Sequence, residues 1–321
     1  MMLAACVCLA VAYAGGTNSI GRVARPAAAR VRAVLEQPPA PTAAAPSVVS
    51  ALRSALRRGE DLGELLAATQ PFPLDGFQLD ALTALLEGEN VLLSAPTGSG
   101  KTAVGELAVL AALANGKKAV YTTPLKALSN QKFFDFCERF GSANVGLLTG
   151  DVTVQRDAPI LLMTTEVFRN MLFDERRSND RSAAGIPAEG DEETGEGRKL
   201  IDSIGVCVLD EFHWMGDRSR GVVWEEVVIH APKSVQLLAL SATVPNGKSL
   251  RRWIEATHGR PTRLVRSDVR PVPLRFHYCD GTFGVRPLFA DPEAMPSAVA
   301  GSSSVLAAEK GGKRGGGGSE R

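Results

Sequence analysis

The chain contains 321 residues, of which 45% are apolar, and its formal net charge is +1. This length allows roughly two domains, and the apolar content is sufficient for a buried core. The near-neutral charge excludes a global basic field, so any contact with nucleic acid must depend on a local patch or on backbone amides. The five cysteines form no Cys-x-x-Cys pair, so neither a zinc site nor a disulfide framework is indicated. No segment reaches the ~18–20 consecutive apolar residues of a membrane-spanning helix.

Residues 1–69 have the composition of a targeting peptide followed by a linker. The first 35 residues lack acidic side chains and combine an apolar run at 3–14 with four arginines among alanines. This composition is typical of a bipartite organelle address, so we predict a plastid (chloroplast) location. The mitochondrion, the nucleus and the cytoplasm are the alternative locations, and an untargeted disordered terminus is the other interpretation. Residues 38–46 are a Pro/Ala linker, and the spacing of 50–68 predicts a short amphipathic helix.

Over residues 70–280, short apolar runs alternate with helical patterns of ~10–15 residues, which predicts an α/β domain with a mostly parallel sheet and helices on both faces. The predicted strands are 91–93, 119–122, 145–148, 160–163, 206–209, 235–240 and 263–265. The predicted helices run from after Gln78 to before Gly88, from Lys101 toward Asn115, from after Pro124 to near Phe140, from Thr165 to near Phe173, from Val222 to His230 and from Ser249 to Ala256.

Two segments interrupt or follow this alternation. Residues 174–199 are polar, acidic and glycine-containing. We predict a disordered insertion there, because the alternation of strands and helices resumes after it. Residues 281–321 are predicted to form a low-complexity tail, because residues 301–321 are rich in Gly, Ser and Lys.

Residues 91–102 predict a phosphate-binding loop, because an apolar run, a glycine-rich loop and a Lys-Thr pair that opens a helix follow one another. Gly98 and Gly100 let successive backbone N–H groups point at a polyphosphate, and the helix N-terminus adds partial positive charge. Lys101 would reach the β- and γ-phosphates, and the Thr102 hydroxyl would ligate Mg²⁺. The usual pattern begins with glycine, where this chain has Ala95, and a chance glycine-rich turn is the other interpretation. The predicted nucleotide-binding positions are Ala95, Pro96, Thr97, Gly98, Ser99, Gly100, Lys101 and Thr102.

A second polar group follows the apolar run at 206–209. Asp210 and Glu211 come at the end of this predicted strand, as the phosphate loop does after its own strand. Ligands of open α/β sheets bind at the carboxyl ends of the strands, so we expect both groups at one edge. Asp210 would hold Mg²⁺ through water, Glu211 would orient and deprotonate an attacking water, and His213 would sense the γ-phosphate. A surface turn is the ordinary interpretation of this motif taken alone.

Three blocks, 95–102, 210–213 and 241–243, occur in the order of motifs I, II and III of superfamily-2 DExH-box helicases, and the chain resembles this family. The resemblance implies a RecA-like P-loop NTPase domain over 70–280, with ATP and Mg²⁺ as cofactors. It also implies a 3′-to-5′ RNA helicase. The blocks that resemble the superkiller-type, exosome-associated branch are 122–132, 146–151, 163–166, 220–226, 241–246 and 270–274.

The resemblance also implies residue roles. Phe72 and Gln78 would recognise adenine by stacking and by hydrogen bonds, with a core position as the alternative for Phe72. Backbone and hydroxyl groups of three segments would hold the phosphates of a single RNA strand without reading its sequence. Solvated helix lysines are the alternative for Lys126 and Lys132. The predicted RNA-binding positions are Pro124, Leu125, Lys126, Thr149, Gly150, Asp151, Thr165 and Glu166, and those predicted to couple the ATP state to RNA are Ser241, Ala242 and Thr243.

Members of this family continue into a second RecA-like domain that carries arginine fingers, and no stretch after residue 280 resembles that arginine motif. We therefore expect the first half of a helicase core, which alone would hydrolyse ATP slowly and would not unwind duplexes. The implied partners are single-stranded RNA, an RNA duplex with an overhang, the missing second domain and a complex for RNA processing or degradation. No membrane partner is expected. Two alternatives remain: a truncated, non-catalytic module that binds ATP and RNA, and a DNA helicase of the related repair branch.

Overall fold

The computed structural model describes residues 45–183, 200–242, 244–271, 277–280 and 284–287. Most of the predicted targeting segment, most of the predicted tail, and Thr243 of the predicted coupling motif lie outside these residues. Among the described helices, none combines the length and the apolar character needed to cross a membrane.

Eight strands form one mostly parallel sheet, in the order β4-β3-β5-β2-β6-β7-β1-β8. Within this sheet, the pair of β3 and β4 is the one antiparallel pair among the described strands. Every residue of β1 and of β5 is buried, which explains why these strands read as continuous apolar runs rather than as alternating patterns. The predicted parallel α/β sheet is therefore confirmed. The strands are β1 Asn90–Ser94, β2 Lys118–Thr123, β3 Val145–Leu148, β4 Thr153–Val154, β5 Ile160–Thr164, β6 Ile204–Leu209, β7 Gln236–Ser241 and β8 Thr262–Arg266.

Helices cover both faces of this sheet. On one face, Gly105 of α4 lies against the side chains of Tyr121, Val208 and Leu240. On the other face, strand residues such as Val120 and Cys207 belong to the same buried hydrophobic cluster as helical side chains such as Trp224. Successive strand residues point to opposite faces, so each strand supplies both layers of the core. The helices are α1 Ala45–Arg57, α2 Leu62–Ala68, α3 Gly76–Leu86, α4 Lys101–Ala114, α5 Lys126–Phe140, α6 Thr165–Ala183, α7 Val222–His230 and α8 Gly247–His258, with 3₁₀ turns at Ser142–Asn144 and Phe212–Gly216.

The structure differs from the predicted elements near the start of the described chain. The single helix expected over 50–68 is two helices, α1 and α2. Gly59 adopts a left-handed conformation with φ of +84° between them. The Asp61 carboxylate then accepts a hydrogen bond from the Glu64 N–H at 2.8 Å and caps α2. The break therefore has a local cause, a left-handed glycine followed by a new N-cap.

A second difference concerns the helix predicted to end near Phe173. Helix α6 continues to Ala183, so the first ten residues of the predicted insertion are helical. A contact with α7 supports this extension: the Arg176 guanidinium donates to His230 Nδ1 at 2.8 Å. Just before the extension, the centre of the Phe173 ring lies 4.5 Å from that of the His230 ring. The polar composition of residues 174–183 favoured a loop, but tertiary contact with α7 outweighs this local preference. Residues 184–199 lie outside the described part of the chain.

Sequence patterning also missed three short strands. These are β4 and an antiparallel hairpin near the C-terminus, formed by β9 (His277–Asp280) and β10 (Gly284–Pro287). Each has two to four residues, which is too short for an alternation of apolar and polar residues to be recognised.

Candidate nucleotide and nucleic-acid site

The parallel strands end at one edge of the sheet, and every predicted site segment except the adenine-contacting residues Phe72 and Gln78 follows one of these ends. The six strands concerned are consecutive in the sheet, in the order β3, β5, β2, β6, β7 and β1. The structure therefore brings together the segments that the sequence separates by up to about 150 residues. The first residues after β1, β7, β6, β2, β3 and β5 are Ala95, Ala242, Asp210, Pro124, Thr149 and Thr165.

The loop after β1 curls around its own backbone. Gly98 and Gly100 have φ angles of +82° and +88°, a region open to glycine but unfavourable for other residues. The Lys101 ammonium donates to the carbonyl oxygens of Ala95 and Pro96 at 2.8 and 2.9 Å. Burial lowers the pKa of Lys101, while the charges of the nearby Asp210 and Glu211 carboxylates act in the opposite direction. The loop lysine and the two carboxylates thus share one electrostatic environment.

Ala95, which stands where the usual phosphate-loop pattern has glycine, is tolerated for a structural reason. The residue is fully buried, and its backbone does not adopt the left-handed conformation that would require glycine. Its N–H donates to the carbonyl oxygen of Ser241 at 3.2 Å, which joins the loop to the end of β7. The departure from the pattern therefore leaves the curl at Gly98 and Gly100 intact.

Asp210 and Glu211 lie beside this loop in a constrained turn. The Asp210 carboxylate accepts hydrogen bonds from the Tyr121 hydroxyl at 2.8 Å and from the Glu211 N–H at 2.9 Å. Glu211 itself has φ of +52°, a strained conformation for a residue with a side chain. Its carboxylate lies 3.3 Å from His213 Nδ1. The predicted catalytic residues are therefore adjacent, and Tyr121 joins them as a residue that the sequence did not single out.

The oxygen donors of this site suit a magnesium ion. Thr102 supplies a hydroxyl and Asp210 a carboxylate, and Mg²⁺ binds through one or two such protein oxygens together with substrate phosphates and water. The described residues contain no group of three or more His, Cys, Asp or Glu side chains arranged to hold a metal. The Lys132 ammonium donates to the Thr102 hydroxyl at 3.2 Å.

The two residues expected to contact adenine differ in their surroundings. Phe72 is 47% exposed, so the alternative that it is a core aromatic does not hold. Gln78 is only 2% exposed, and its amide is used at both ends. The amide oxygen accepts from the Asp75 N–H at 2.8 Å, and the amide nitrogen donates to the Gly100 carbonyl at 3.1 Å. Gln78 thus ties the start of α3 directly to the phosphate loop.

The segments predicted to hold RNA are connected by side chains. Lys126 and Asp151 form an exposed ion pair at 2.8 Å, which joins the segments after β2 and β3. Arg220 forms an ion pair with Glu166 and also donates to the Pro124 carbonyl at 2.7 Å. Arg220 therefore connects the segments that follow β5 and β2. Its position in the block 220–226 marked it as part of a motif, but its bridging role depends on contacts that the sequence does not contain.

Arg220 also contacts the 3₁₀ turn after Glu211, and the segment after β7 contacts the residue before the phosphate loop. The guanidinium lies 5.4 Å from the ring centre of Trp214, in the 3₁₀ turn that begins after Glu211. The Ser94 hydroxyl at the end of β1 donates to the Ala242 carbonyl at 3.4 Å, so the residue before the phosphate loop contacts the predicted coupling motif. The Ser241 hydroxyl is buried and has no hydrogen-bond partner among the described residues.

A parallel sheet whose strand β1 leads through a curled Gly-Ser-Gly-Lys-Thr loop into a helix defines a RecA-like P-loop domain. Within this class, the DEAD/DEAH box helicase family matches residues 75–251, and the chain belongs to this family.

Three curated helicases are similar in sequence to this chain. The chain is 48% identical over 218 residues to the chloroplastic DExH-box ATP-dependent RNA helicase DExH15 of Arabidopsis thaliana. It is 46% identical over 223 residues to the probable helicase HelY of Mycobacterium leprae, and 41% identical over 221 residues to the antiviral helicase SKI2 of Saccharomyces cerevisiae. The matches cover 68%, 69% and 68% of this chain but only 17%, 22% and 16% of these relatives. The chain thus spans less than a quarter of their length.

Proposed function

We propose that this chain is the ATP-binding part of an ATP-dependent, 3′-to-5′ RNA helicase of the superkiller-type branch. The observation that carries the proposal is the meeting of three groups at one sheet edge: the curled loop after β1, the carboxylates after β6, and the linked segments after β2, β3 and β5. In a helicase the nucleotide and the nucleic acid each change the affinity for the other, and binding segments that meet at one sheet edge can transmit this coupling.

At the nucleotide, the chain's own residues divide the work. Lys101 would exchange its two backbone carbonyls for the β- and γ-phosphates, because charged phosphate oxygens form stronger hydrogen bonds. Glu211 would orient and deprotonate the attacking water, and His213 beside it would sense the γ-phosphate. Bound Mg²⁺ would stabilise the developing phosphate charge, held by Thr102 and, through water, by Asp210. Phe72 would stack on the adenine with its exposed ring.

On the nucleic acid, the segments 124–126, 149–151 and 165–166 would hold consecutive phosphates of one strand through backbone N–H and hydroxyl groups. Such contacts do not depend on base sequence, and they require no global positive charge. RNA is favoured over DNA because DExH15, among the relatives, is named as an RNA helicase. Ser241 and Ala242 would transmit the ATP state, since the Ser241 carbonyl accepts from the Ala95 N–H in the phosphate loop.

The cellular setting is part of the same proposal. The arginine-containing, acid-free first 35 residues and the chloroplastic relative favour a plastid location. The resemblance to the superkiller-type branch favours a role in RNA processing or degradation within a larger complex. Fusing residues 1–60 to a fluorescent reporter tests the location, and a diffuse cytosolic or nuclear signal would contradict it.

Lys101→Ala tests the nucleotide site. Titration with a fluorescent ATP analogue should show affinity reduced by roughly tenfold or more, because charged hydrogen bonds to the phosphates are lost. Lys118→Ala is the matched control, since the Lys118 ammonium bonds the Asp157 carbonyl at the amino end of β2. Unchanged affinity in Lys101→Ala would refute the use of this loop. Competition between RNA and DNA single strands of the same sequence then separates the RNA helicase from a DNA helicase.

A further inference from the structure

Tyr121 is a fully buried tyrosine whose hydroxyl points at the predicted metal site. The residue is 0% exposed on β2, and its hydroxyl donates to Asp210 Oδ2 at 2.8 Å. A buried phenol needs such a partner, because an unpaired hydroxyl in the core is costly. The hydrogen bond therefore connects a core strand to the carboxylate that follows β6.

The Tyr121 ring is fixed from two sides. Gly105 of α4 lies so close that a Cβ atom there would be 3.0 Å from the ring carbon Cε2. Phe136 of α5 packs against the ring edge-on, with the ring centres 5.2 Å apart. A ring held in this way presents its hydroxyl in one direction, so the donor that Asp210 meets is preorganised.

The Asp210 carboxylate is fixed at both oxygens. Oδ2 accepts from the Tyr121 hydroxyl, and Oδ1 accepts from the Glu211 N–H at 2.9 Å. Each carboxylate oxygen can accept about two hydrogen bonds, so each keeps capacity for a metal-bound water. Two donors at fixed positions determine the rotation of the carboxylate and hence the direction of its remaining lone pairs.

We propose that Tyr121 is a positioning residue for magnesium, whose hydroxyl orients the Asp210 carboxylate toward the ion that accompanies ATP. This inference rests on the proposed ATP-binding function. Groups that orient a metal ligand typically change metal affinity by ~10–100-fold when they are removed. The role differs from core packing, because only the hydroxyl, and not the ring, is needed for it.

Tyr121→Phe in the full 321-residue chain isolates that hydroxyl. The affinity for a fluorescent ATP analogue is measured across a series of Mg²⁺ concentrations and in EDTA. We expect the Mg²⁺ concentration for half-maximal effect to rise about tenfold, with the affinity in EDTA unchanged. Thr262→Val is the matched control: it removes the buried hydroxyl of Thr262 at the start of β8, which donates to the Arg260 carbonyl, and it should leave the Mg²⁺ dependence unaltered.

A double variant distinguishes positioning from general destabilisation. If Tyr121 acts through Asp210, Tyr121→Phe should add no further change in Mg²⁺ dependence to Asp210→Asn. An unchanged Mg²⁺ dependence in Tyr121→Phe, or full additivity with Asp210→Asn, would overturn the inference. Failure of the unaltered chain to bind the analogue at any Mg²⁺ concentration would instead overturn the proposed function, and the inference with it.

Discussion

Gly100→Ala should destabilise the domain more than Gly98→Ala, although both glycines lie in the same loop with similar φ angles of +88° and +82°. Each substitution forces a side chain into the left-handed region, which costs about 1–2 kcal/mol. At Gly98, a Cβ atom would meet nothing within 4 Å. At Gly100, it would lie 2.7 Å from the amide nitrogen of Gln78. Only Gly100→Ala therefore adds a steric conflict to the backbone strain.

The Gln78 amide cannot move aside freely, although it is the end of a flexible side chain. It is buried, and its oxygen and nitrogen bond the Asp75 N–H and the Gly100 carbonyl. Displacing it loses these bonds, at a cost of about 1–3 kcal/mol. We therefore expect total losses of about 1–2 kcal/mol for Gly98→Ala and about 2–5 kcal/mol for Gly100→Ala.

Equilibrium unfolding in urea, extrapolated to water, measures both losses. A double variant, Gly100→Ala with Gln78→Ala, provides the internal check. It removes the conflict, so its loss should be smaller than the sum of the two single losses. Equal destabilisation by Gly98→Ala and Gly100→Ala would refute the argument that Gln78 is held in place by its hydrogen bonds.

Two further predictions concern side chains that the fold brings together. Arg220→Met should lower RNA affinity by about tenfold, because it removes the charged hydrogen bonds that connect the segments after β2 and β5, and ATP-analogue affinity should be unchanged. Arg169→Met, which breaks a similar ion pair with Glu226, is the control and should leave RNA affinity intact. Burial lowers the pKa of His258 below its usual 6.5, so its contribution to stability is full above pH 6.5 and declines as the pH falls through the lower folded-state value. Melting temperatures of His258→Gln should therefore depend less on pH than those of the unaltered chain between neutral pH and about 5.

The strands were predictable because burial on both faces leaves continuous apolar runs, and the phosphate loop was predictable because its glycines and lysine are consecutive. Arg220 and Tyr121 were not predictable in their roles. Arg220 reaches Pro124 and Glu166, which are 96 and 54 residues away along the chain. Tyr121 belongs to an apolar strand, where an aromatic residue ordinarily indicates core packing.

Helix α6 shows a second limit of prediction from sequence, which concerns where an element ends. Nine of its last ten residues are polar and predict the start of a loop, whereas Arg176 among them bonds His230, a residue that lies beyond β6 in the chain. Local composition carries no information about such a partner. The same holds for Gln78, whose predicted role as an adenine contact rested on spacing, whereas its bonds to Asp75 and Gly100 depend on the approach of α3 to the loop.

The sheet order has a consequence for the growing polypeptide. Strand β1 is the first strand to be synthesised, but its two partners are β7 and β8, the last two strands of the sheet. Strands β2, β3, β5 and β6 pair among themselves and can assemble earlier. Contacts so distant in sequence form slowly, because a long loop must close first. The nucleotide loop is thus synthesised early and anchored late, and a chain stalled before Gln236 would carry the complete phosphate-binding motif without the two strands that pair with β1.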